Sequence, residues 1–326
     1  MTSSATSGPE SSAQEGDPRA ALVRVRNQVA QIVVGQDHVV TGLITALLAN
    51  GHVLLEGVPG VAKTLTVKAL AAALDLQTTR VQFTPDLMPS DVTGHMVLVD
   101  GRLEFRSGPV FTNLLLADEI NRTPPKTQSA LLEAMEERQV TAEGTARPLP
   151  QPFAVIATQN PVEYEGTYPL PEAQLDRFLF KLDVGYPSAE QEVEVLTRHD
   201  EGMDPHDLSG ITPVASGADI LAGRAAVGTL RVAPPVRAYI SQVVRATREL
   251  PAVSLGVSPR GSAMLLHAAK AWAWLSGSTI VTPDHVQAIA RPTLRHRLQL
   301  RPEVALEGAT ADAALDRVMA TVPVPR

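Results

Sequence analysis

The amino-acid sequence predicts an α/β fold, in which a parallel sheet covered by helices is followed by a smaller all-helical domain. Apolar runs at 53–55, 113–119 and 153–158 predict strands that are buried on both faces, and helical segments lie between them. After residue 187 the pattern changes to helical segments divided by Pro- and Gly-bearing loops. We therefore expect a disordered tail at 1–18, a sheet-containing domain at 19–187 and an all-helical domain at 188–326.

Composition excludes several classes of protein. The chain has 326 residues, of which 44% are hydrophobic, so it can form two folded domains. It contains no cysteine, which excludes disulfides, a thiol nucleophile and zinc–thiolate sites, and its 8 histidines lack metal-ligand spacing. The net charge of −7 argues against a protein that coats nucleic acid. Because no apolar stretch suits a membrane span and 1–18 lack the apolar core of a secretion signal, we expect a cytoplasmic protein.

The most informative stretch is residues 57–64, Gly-Val-Pro-Gly-Val-Ala-Lys-Thr, between a predicted strand and a predicted helix. Backbone N–H groups in such a loop surround phosphates, and the helix N-terminus adds its positive end. Lys63 could reach the β- and γ-phosphates and Thr64 could ligate Mg²⁺. The usual last glycine is replaced by Ala62, which is tolerable if that residue keeps helical φ and ψ. The alternative interpretation is a chance turn rich in small residues.

Polar side chains follow two of the predicted strands. Asp118 and Glu119 end the strand at 113–119, and Asn160 follows the strand at 153–158. Open α/β sheets bind ligands at the carboxyl ends of their strands, so Asp118 could hold Mg²⁺ and Glu119 could activate a water. Asn160 could position that water if its strand neighbours that of Asp118. The alternatives are a helix cap for the carboxylates and an ordinary turn for Asn160, which precedes a proline.

Two hairpins and two sets of arginines complete the pattern. Asp100 and Gly101 predict the turn of a hairpin at 96–106, and 140–150 resembles a second hairpin; either could be a structural insert without function. Arg177 is either a surface arginine paired with Asp176 or a group aimed at a neighbouring subunit's nucleotide. The arginines between 291 and 301 could contact acidic partners, but we favour a solvated helical face.

Taken together, these motifs resemble those of the AAA+ ATPases, which have a P-loop NTPase core, and in particular their MoxR family. The resemblance covers about residues 19–320, all but the tail, and Ala62 is usual in that family. It is carried by residues 57–64, by Ala-Asp-Glu-Ile-Asn-Arg at 117–122, by Ala-Thr-Gln-Asn-Pro at 157–161, and by Leu-Pro-Glu-Ala-Gln-Leu-Asp-Arg-Phe at 170–178.

The resemblance implies a role for each matched position. Asp118 and Glu119 would be Walker B, Asn160 sensor 1, Arg177 the arginine finger and Arg260 sensor 2, which acts in cis or in trans. The hairpins would be the helix-2 insert and the pre-sensor-1 hairpin, and Thr64 and Asp118 would hold the metal. The residues implied to bind the nucleotide are Gly35 and Gln36 at the adenine, and Gly57, Val58, Pro59, Gly60, Val61, Ala62, Lys63, Thr64 and Leu65 of Walker A, with Asp118.

The implied activity is ATP hydrolysis with Mg²⁺, in a ring that is usually hexameric. Family members resemble chaperones that remodel a protein client or assist metal insertion, often with a von Willebrand A-domain partner. Two alternatives stay open: the ATPase subunit of a metal chelatase, and a nucleic-acid motor. Acidic residues offset the basic ones on the hairpins, so we expect no nucleic-acid partner and favour the motor less. A non-hydrolysing scaffold is disfavoured because Lys63, Asp118 and Glu119 are all present.

Overall fold

The structure is a computed structural model that describes residues 16–142, 144–161, 166–204 and 207–325. The predicted tail lies outside the described residues up to position 15, and the first helix begins at Pro18. The first domain contains, in chain order, α1 (Pro18–Ala30), α2 (Asp37–Leu48), β1 (Val53–Glu56), α3 (Lys63–Ala73), β2 (Thr78–Gln82), α4 (Pro89–Thr93), β3 (Gly94–Val99), β4 (Arg102–Ser107), β5 (Leu114–Asp118), a 3₁₀ turn (Ile120–Arg122), α5 (Pro125–Glu137), β6 (Gln139–Ala142), β7 (Thr145–Pro148), β8 (Ala154–Gln159), α6 (Glu172–Leu175) and β9 (Phe180–Asp183).

A parallel sheet of five strands, in the order β2-β5-β8-β1-β9, forms the centre of this domain. Its central strands β5 and β8 are buried on both faces, as their uninterrupted apolar runs predict. Because β5 pairs with β8, with Ala117 opposite Ala157, the residues that follow the two strands emerge side by side. The prediction that the strand before Asn160 lies next to the strand of Asp118 is therefore confirmed.

Both predicted hairpins are present. In β3–β4, Asp100 and Gly101 have φ values of 50° and 78°, which is the left-handed pair that a tight two-residue hairpin turn requires. β6 and β7 form the second hairpin, with Gly144 in its turn, while Glu143 lies outside the described residues. The two hairpins touch, because the Arg147 guanidinium lies 4.2 Å from the centre of the Phe105 ring.

The second part of the chain is helical, as the sequence predicts, and it also contains short strands that the sequence did not indicate. Four strands of only two or three residues pair there, β10 with β12 and β11 with β13, and they are too short to leave a pattern in the sequence. Its elements are α7 (Ala189–Asp200), α8 (Gly217–Thr229), β10 (Arg231–Val232), α9 (Pro234–Glu249), β11 (Val253–Leu255), α10 (Pro259–Leu275), β12 (Ile280–Val281), α11 (Pro283–Leu294), a 3₁₀ turn (Arg295–Arg297), β13 (Gln299–Leu300), α12 (Pro302–Leu306) and α13 (Ala311–Thr321).

The two parts share one hydrophobic core. Buried residues of α1 and α2, such as Leu22 and Leu48, belong to the same apolar cluster as Ile220 of α8 and Trp274 of α10. A separate cluster lies under the other face of the sheet, where α5 packs. The helical part is therefore packed against the N-terminal helices and not attached by a linker alone.

We expected the arginines between 291 and 301 on a solvated face; Arg291 and Arg301 are exposed, but Arg295 and Arg297 require a correction. Arg297 is only 7% exposed, and its Nε donates to Asp176 Oδ1 at 2.7 Å. Arg295 pairs with Asp183 and Asp312, and Arg291 pairs with Asp316. Helix α11 ends at Leu294 and the 3₁₀ turn directs Arg295 and Arg297 inward, so these two cations connect the helical part to the sheet domain.

Candidate functional site

A cavity of about 810 Å³ lies beyond the carboxyl ends of β1, β5 and β8, which is where open α/β sheets bind ligands. It brings together most of the residues that the sequence singled out. Gly57 and Val58 precede its rim, and Gly35 turns the chain beside Gln36 with a φ of 77°. The predicted site residues that line it are Gln36, Pro59, Gly60, Val61, Ala62, Lys63, Thr64, Leu65, Asp118, Glu119 and Asn160.

The loop between β1 and α3 has the geometry of a phosphate cradle. Gly60 has a φ of 87°, and Lys63 begins α3, so that the helix N-terminus faces the cavity. The Lys63 Nζ donates to the carbonyl oxygen of Gly57 across the loop. Ala62 does not keep the right-handed helical conformation that the sequence analysis required; it caps α3 with φ 59° and ψ 22°. The left-handed region disfavours any Cβ, so this loop holds its shape at a local cost in energy.

Asp118 is held by two partners on neighbouring strands. It is 8% exposed, and Thr158 donates its hydroxyl to Oδ1 at 2.5 Å. Arg80 on β2 donates to Oδ2 twice, from Nε at 3.0 Å and from the terminal NH2 at 2.7 Å. One oxygen of this carboxylate is therefore fixed by a hydroxyl and the other is neutralised by a cation.

Glu119 is constrained in both backbone and side chain. Its φ of 56° and ψ of 51° lie in the left-handed region, which a non-glycine residue enters only when its surroundings hold it there. Its N–H donates to the Thr158 hydroxyl at 2.9 Å. Its Oε2 accepts from Gln82 Nε2 at 2.7 Å and from Arg122 at 3.1 Å. Asn160, which is 5% exposed, follows β8 on the same rim.

Sequence reasoning missed Arg80, Gln82 and Thr158, which hold the two carboxylates. The sequence contained a signal for Gln82, because a polar residue at the end of one strand can contact an acidic residue at the end of the neighbouring strand. The register places Gln82 opposite Asp118 in the β2–β5 pair. Such pairing depends on the strand order, which one sequence did not reveal.

The far end of the cavity suits a flat, mostly apolar group with a hydrogen-bond donor. Ile32, Val33 and Leu208 line it, and the buried side chain of Gln36 is beside them. Gln36 donates through Nε2 to the Gly185 carbonyl at 3.4 Å, but its buried Oε1 has no partner among the described residues. A buried acceptor without a donor is costly, and a ligand amino group would satisfy it. The cavity therefore fits an adenine at this end and phosphates at the loop.

Arg177 and Arg260 do not line this cavity. They lie together beside a second cavity of about 280 Å³, where both bind Glu136 of α5. Arg177 Nε donates to Glu136 Oε2 at 2.8 Å, and Arg260 donates to Oε1 at 3.2 Å. The hydrogen bond from Arg177, and then the Arg260 charge, hold the pKa of Glu136 below its usual range. The interpretation of Arg177 as a surface partner of Asp176 is wrong, because Asp176 binds Arg297 and lies 3.8 Å from Arg260.

Histidine and acidic side chains give no further metal site within the part of the chain that the structure describes. No group of three His, Cys, Asp or Glu residues there could hold a metal ion. Thr64 and Asp118 both line the cavity of about 810 Å³, and a hydroxyl and a carboxylate are oxygen donors that suit Mg²⁺ together with phosphate oxygens. No helix in the described ranges is long and apolar enough to cross a membrane.

Comparisons with known proteins agree with this geometry. Residues 52–180 match the model of the ATPase family associated with various cellular activities, and residues 245–318 match the AAA lid domain. Chaperone MoxR1 of Mycobacterium tuberculosis is 43% identical over 321 residues, which are 94% of this chain and 82% of that protein. The chain belongs to the MoxR family of AAA+ ATPases. This MoxR-family member is an ATP-hydrolysing enzyme with a parallel-sheet core and a helical lid.

Other relatives support the same family assignment. An uncharacterized Bacillus subtilis protein, YeaC, is 48% identical over 315 residues, which are 96% of this chain and 98% of that protein. A crystal structure of a Cytophaga hutchinsonii protein, proposed to be an ATPase, has a TM-score of 0.87 and 39% identity, and the match covers 95% of this chain and 96% of that one. The 38 kDa magnesium-chelatase subunit of Acidiphilium rubrum is more distant, at 33% identity over 232 residues, which are 69% of this chain and 64% of that subunit.

Proposed function

We propose that this MoxR-family ATPase works as a ring, usually of six subunits, in which each active site is built by two neighbouring subunits. One observation carries the proposal. Arg177 and Arg260 share Glu136 beside one cavity, whereas the phosphate loop, Asp118 and Glu119 line another. A subunit thus has a nucleotide side and an arginine side, and two copies would bring opposite sides together.

The residues on the nucleotide side would bind and activate the reactants. The loop N–H groups and Lys63 would hold the phosphates of ATP, and Thr64 and Asp118 would hold Mg²⁺. Bound Mg²⁺ neutralises charge on the β- and γ-phosphates. Glu119 would accept a proton from the attacking water, and Asn160 would position that water. The buried Oε1 of Gln36 would accept from the adenine amino group.

The arginine side would complete the site of the next subunit. Arg177 would neutralise charge on the transferred phosphoryl group as the arginine finger. The position of Arg260 favours action in trans as well, because its guanidinium binds the same carboxylate as Arg177. The sequence left open whether Arg260 acts in cis or in trans, and this shared partner supports a role in trans.

A subunit-mixing experiment tests this division. Arg177→Ala lacks the arginine side and Glu119→Gln lacks the water-activating group, so each variant alone should be nearly inactive. In an equal mixture, some interfaces join the undamaged nucleotide side of an Arg177→Ala subunit to the undamaged arginine side of a Glu119→Gln subunit. Such an interface has a complete active site. We expect about a quarter of the wild-type ATPase rate, because only about one interface in four has this pairing.

The control mixture combines Lys63→Ala with Glu119→Gln, which both damage the nucleotide side. No interface is then intact, so no activity should return. Activity that stays absent from the Arg177→Ala mixture, in rings shown to exchange subunits, would reject the trans assignment. Electron microscopy of the ATP-bound Glu119→Gln protein would give the number of subunits.

We further propose a chaperone-like role on a protein client, supported by the first hairpin. Leu98 and Leu103 flank its turn and are 71% and 68% exposed. Exposed leucines at a hairpin tip suit an unfolded polypeptide better than a phosphate backbone, which needs clustered cations. Arg147, a cation of the second hairpin, is stacked on Phe105. Metal insertion, a von Willebrand A-domain partner and a cytoplasmic location remain predictions from the sequence.

The client proposal predicts a selective defect. The double variant Leu98→Ser with Leu103→Ser should keep basal ATPase activity and lose its stimulation by a permanently unfolded model protein. Leu306→Ser is a matched control, since Leu306 is 89% exposed on α12. Stimulation by single-stranded DNA, or only by a tetrapyrrole-binding partner, would instead favour the nucleic-acid motor or the chelatase subunit.

A further inference from the structure

Two arginines, Arg138 and Arg224, lie together at the edge of the sheet opposite the nucleotide cavity. Arg138 follows α5 in the sheet domain, and Arg224 belongs to α8 of the helical part. Asn50 and Phe153, which lie beside them, precede β1 and β8. This edge is therefore where the strands begin, whereas ATP is expected where they end.

Within the described residues, neither of these half-buried arginines has the acidic partner that a cation withdrawn from water normally has. Arg138 donates to the carbonyl oxygens of Phe153, at 2.6 Å, and Asn50. Arg224 Nε donates to the Leu47 carbonyl at 2.7 Å, but its buried terminal NH2 has no partner among the described residues. Burial and the nearby Arg138 charge lower the pKa of Arg224 to about 10. Burial also lowers the pKa of Arg138.

Arg138 and Arg224 both line a small cavity of about 70 Å³. One water needs about 10–15 Å³ of such space, so a group of several heavy atoms fits. Asn50 and Gln151 add side-chain amides to the lining, and no acidic residue lines it within the described ranges. Each terminal nitrogen of Arg138 carries a second N–H beyond the one given to a carbonyl. The site thus offers several donors and two positive charges to one small ligand.

We propose that this cavity is a binding site for a small tetrahedral oxyanion such as inorganic phosphate. The anion accepts from the unpartnered NH2 of Arg224 and from the remaining N–H groups of Arg138. Its negative charge offsets the cost of holding two like charges side by side and partly withdrawn from water. A neutral water molecule in the same place would offset less of that cost. Because Arg138 and Arg224 come from different parts of the chain, the bound anion joins the helical lid to the sheet domain.

Equilibrium dialysis of the full-length Lys63→Ala protein with labelled inorganic phosphate tests the proposal, since that background weakens the phosphate loop. We expect one phosphate per chain, and the additional change Arg224→Gln should weaken its binding at least about tenfold, as for a lost charge-assisted hydrogen bond. Arg237→Gln is the matched control, because Arg237 is exposed on α9. It should leave binding unchanged.

Thermal unfolding gives an independent signature. Without phosphate, Arg224→Met should unfold at the same temperature as the parent protein or higher, because it removes an uncompensated charge. With phosphate, the parent should become the more stable of the two, because only it binds the ligand. Equal phosphate binding by the parent and Arg224→Gln, or no phosphate bound at millimolar concentration, would overturn the proposal. If Lys63→Ala did not weaken the phosphate loop, phosphate bound there would remain after the further change Arg224→Gln. A wrong role for Lys63 can therefore be distinguished from a failure of the anion site.

Discussion

Arg80 donates two hydrogen bonds to a single oxygen of Asp118, the carboxylate proposed to hold Mg²⁺. The guanidinium therefore binds a carboxylate oxygen that could otherwise coordinate Mg²⁺. Arg80 and Mg²⁺ should compete for this oxygen. The Arg80 side chain is 46% exposed, and pairs of this kind contribute about 0.2–1 kcal/mol. We expect Arg80→Ala to reach half-maximal ATPase activity at a Mg²⁺ concentration lower by up to about fivefold.

The measurement is a Mg²⁺ titration of the ATPase rate at fixed free ATP. Arg24→Ala is a suitable control, because Arg24 is exposed on α1 and should leave the titration unchanged. A higher Mg²⁺ requirement in Arg80→Ala would show that Arg80 supports the metal or the phosphates instead of competing with the metal.

Arg297 connects the lid to the segment that carries Arg177. Its guanidinium binds the Asp176 carboxylate and the Phe178 carbonyl, at 2.7 and 2.5 Å, and is almost completely buried. Burial lowers its pKa to about 10 against the opposing effect of Asp176, so it stays charged at neutral pH. Among the described residues, Arg297→Met leaves the Asp176 carboxylate with only the more distant Arg260, at 3.8 Å, and removes one of the two donors to the Phe178 carbonyl. It should therefore lower the free energy of unfolding by about 1.5–3 kcal/mol.

Urea unfolding followed by circular dichroism measures this loss. Arg291→Met is the matched control, because Arg291 and Asp316 are about half exposed and their pair should contribute less than about 1 kcal/mol. Equal losses in the two variants would mean that burial of Arg297 adds nothing to its stabilising effect.

The sequence could predict the features that depend on neighbours along the chain. The phosphate loop, the hairpin turn at Asp100 and Gly101, and the acidic strand end at Asp118 each depend on a few consecutive residues. Arg297 and Asp176 are 121 positions apart, so nothing local links them. A cluster of arginines at the end of a helical pattern is usually solvated, and only the 3₁₀ turn after Leu294 makes it a contact between domains.

Ala62 has a backbone conformation that favours glycine, although the residue is an alanine. Its φ of 59° lies in the left-handed region, where a residue with a Cβ costs about 1–2 kcal/mol more than glycine in the folded state. Glycine, however, has greater freedom in the unfolded chain, which offsets part of this difference. We expect Ala62→Gly to raise the free energy of unfolding by up to about 1 kcal/mol. Ala222→Gly, at an exposed position inside α8, should lower it by about 1 kcal/mol.

Opposite signs in these two alanine-to-glycine changes are the result to look for in chemical denaturation. If Ala62→Gly destabilises the protein as much as Ala222→Gly does, the left-handed conformation costs less than the freedom that glycine adds. The ATPase rate of Ala62→Gly would then show separately whether a stiff loop matters for turnover.

His52 should make the fold sensitive to acid. Its Nε2 is 3.1 Å from the Met135 carbonyl, and its Nδ1 accepts from the Val155 N–H at 2.9 Å, so the buried ring is neutral with its proton on Nε2. Burial, and then the Arg138 charge, lower its pKa to about 3. The unfolded chain takes up this proton below about pH 6.5 and the folded chain does not, so stability is complete above pH 6.5 and falls between pH 6.5 and about 3.

Between pH 8 and pH 5.5 this single group should remove about 1.4 kcal/mol from the free energy of unfolding. Urea unfolding of the wild type and of His52→Gln at both pH values isolates the effect, because the variant lacks this proton uptake whatever its absolute stability. His95→Gln, at an exposed position on β3, should keep the wild-type pH dependence. His296, whose pKa burial also lowers, is present in all three proteins and cancels from the comparison. An unchanged pH dependence in His52→Gln would mean that the ring takes up its proton in the folded state as readily as in the unfolded chain.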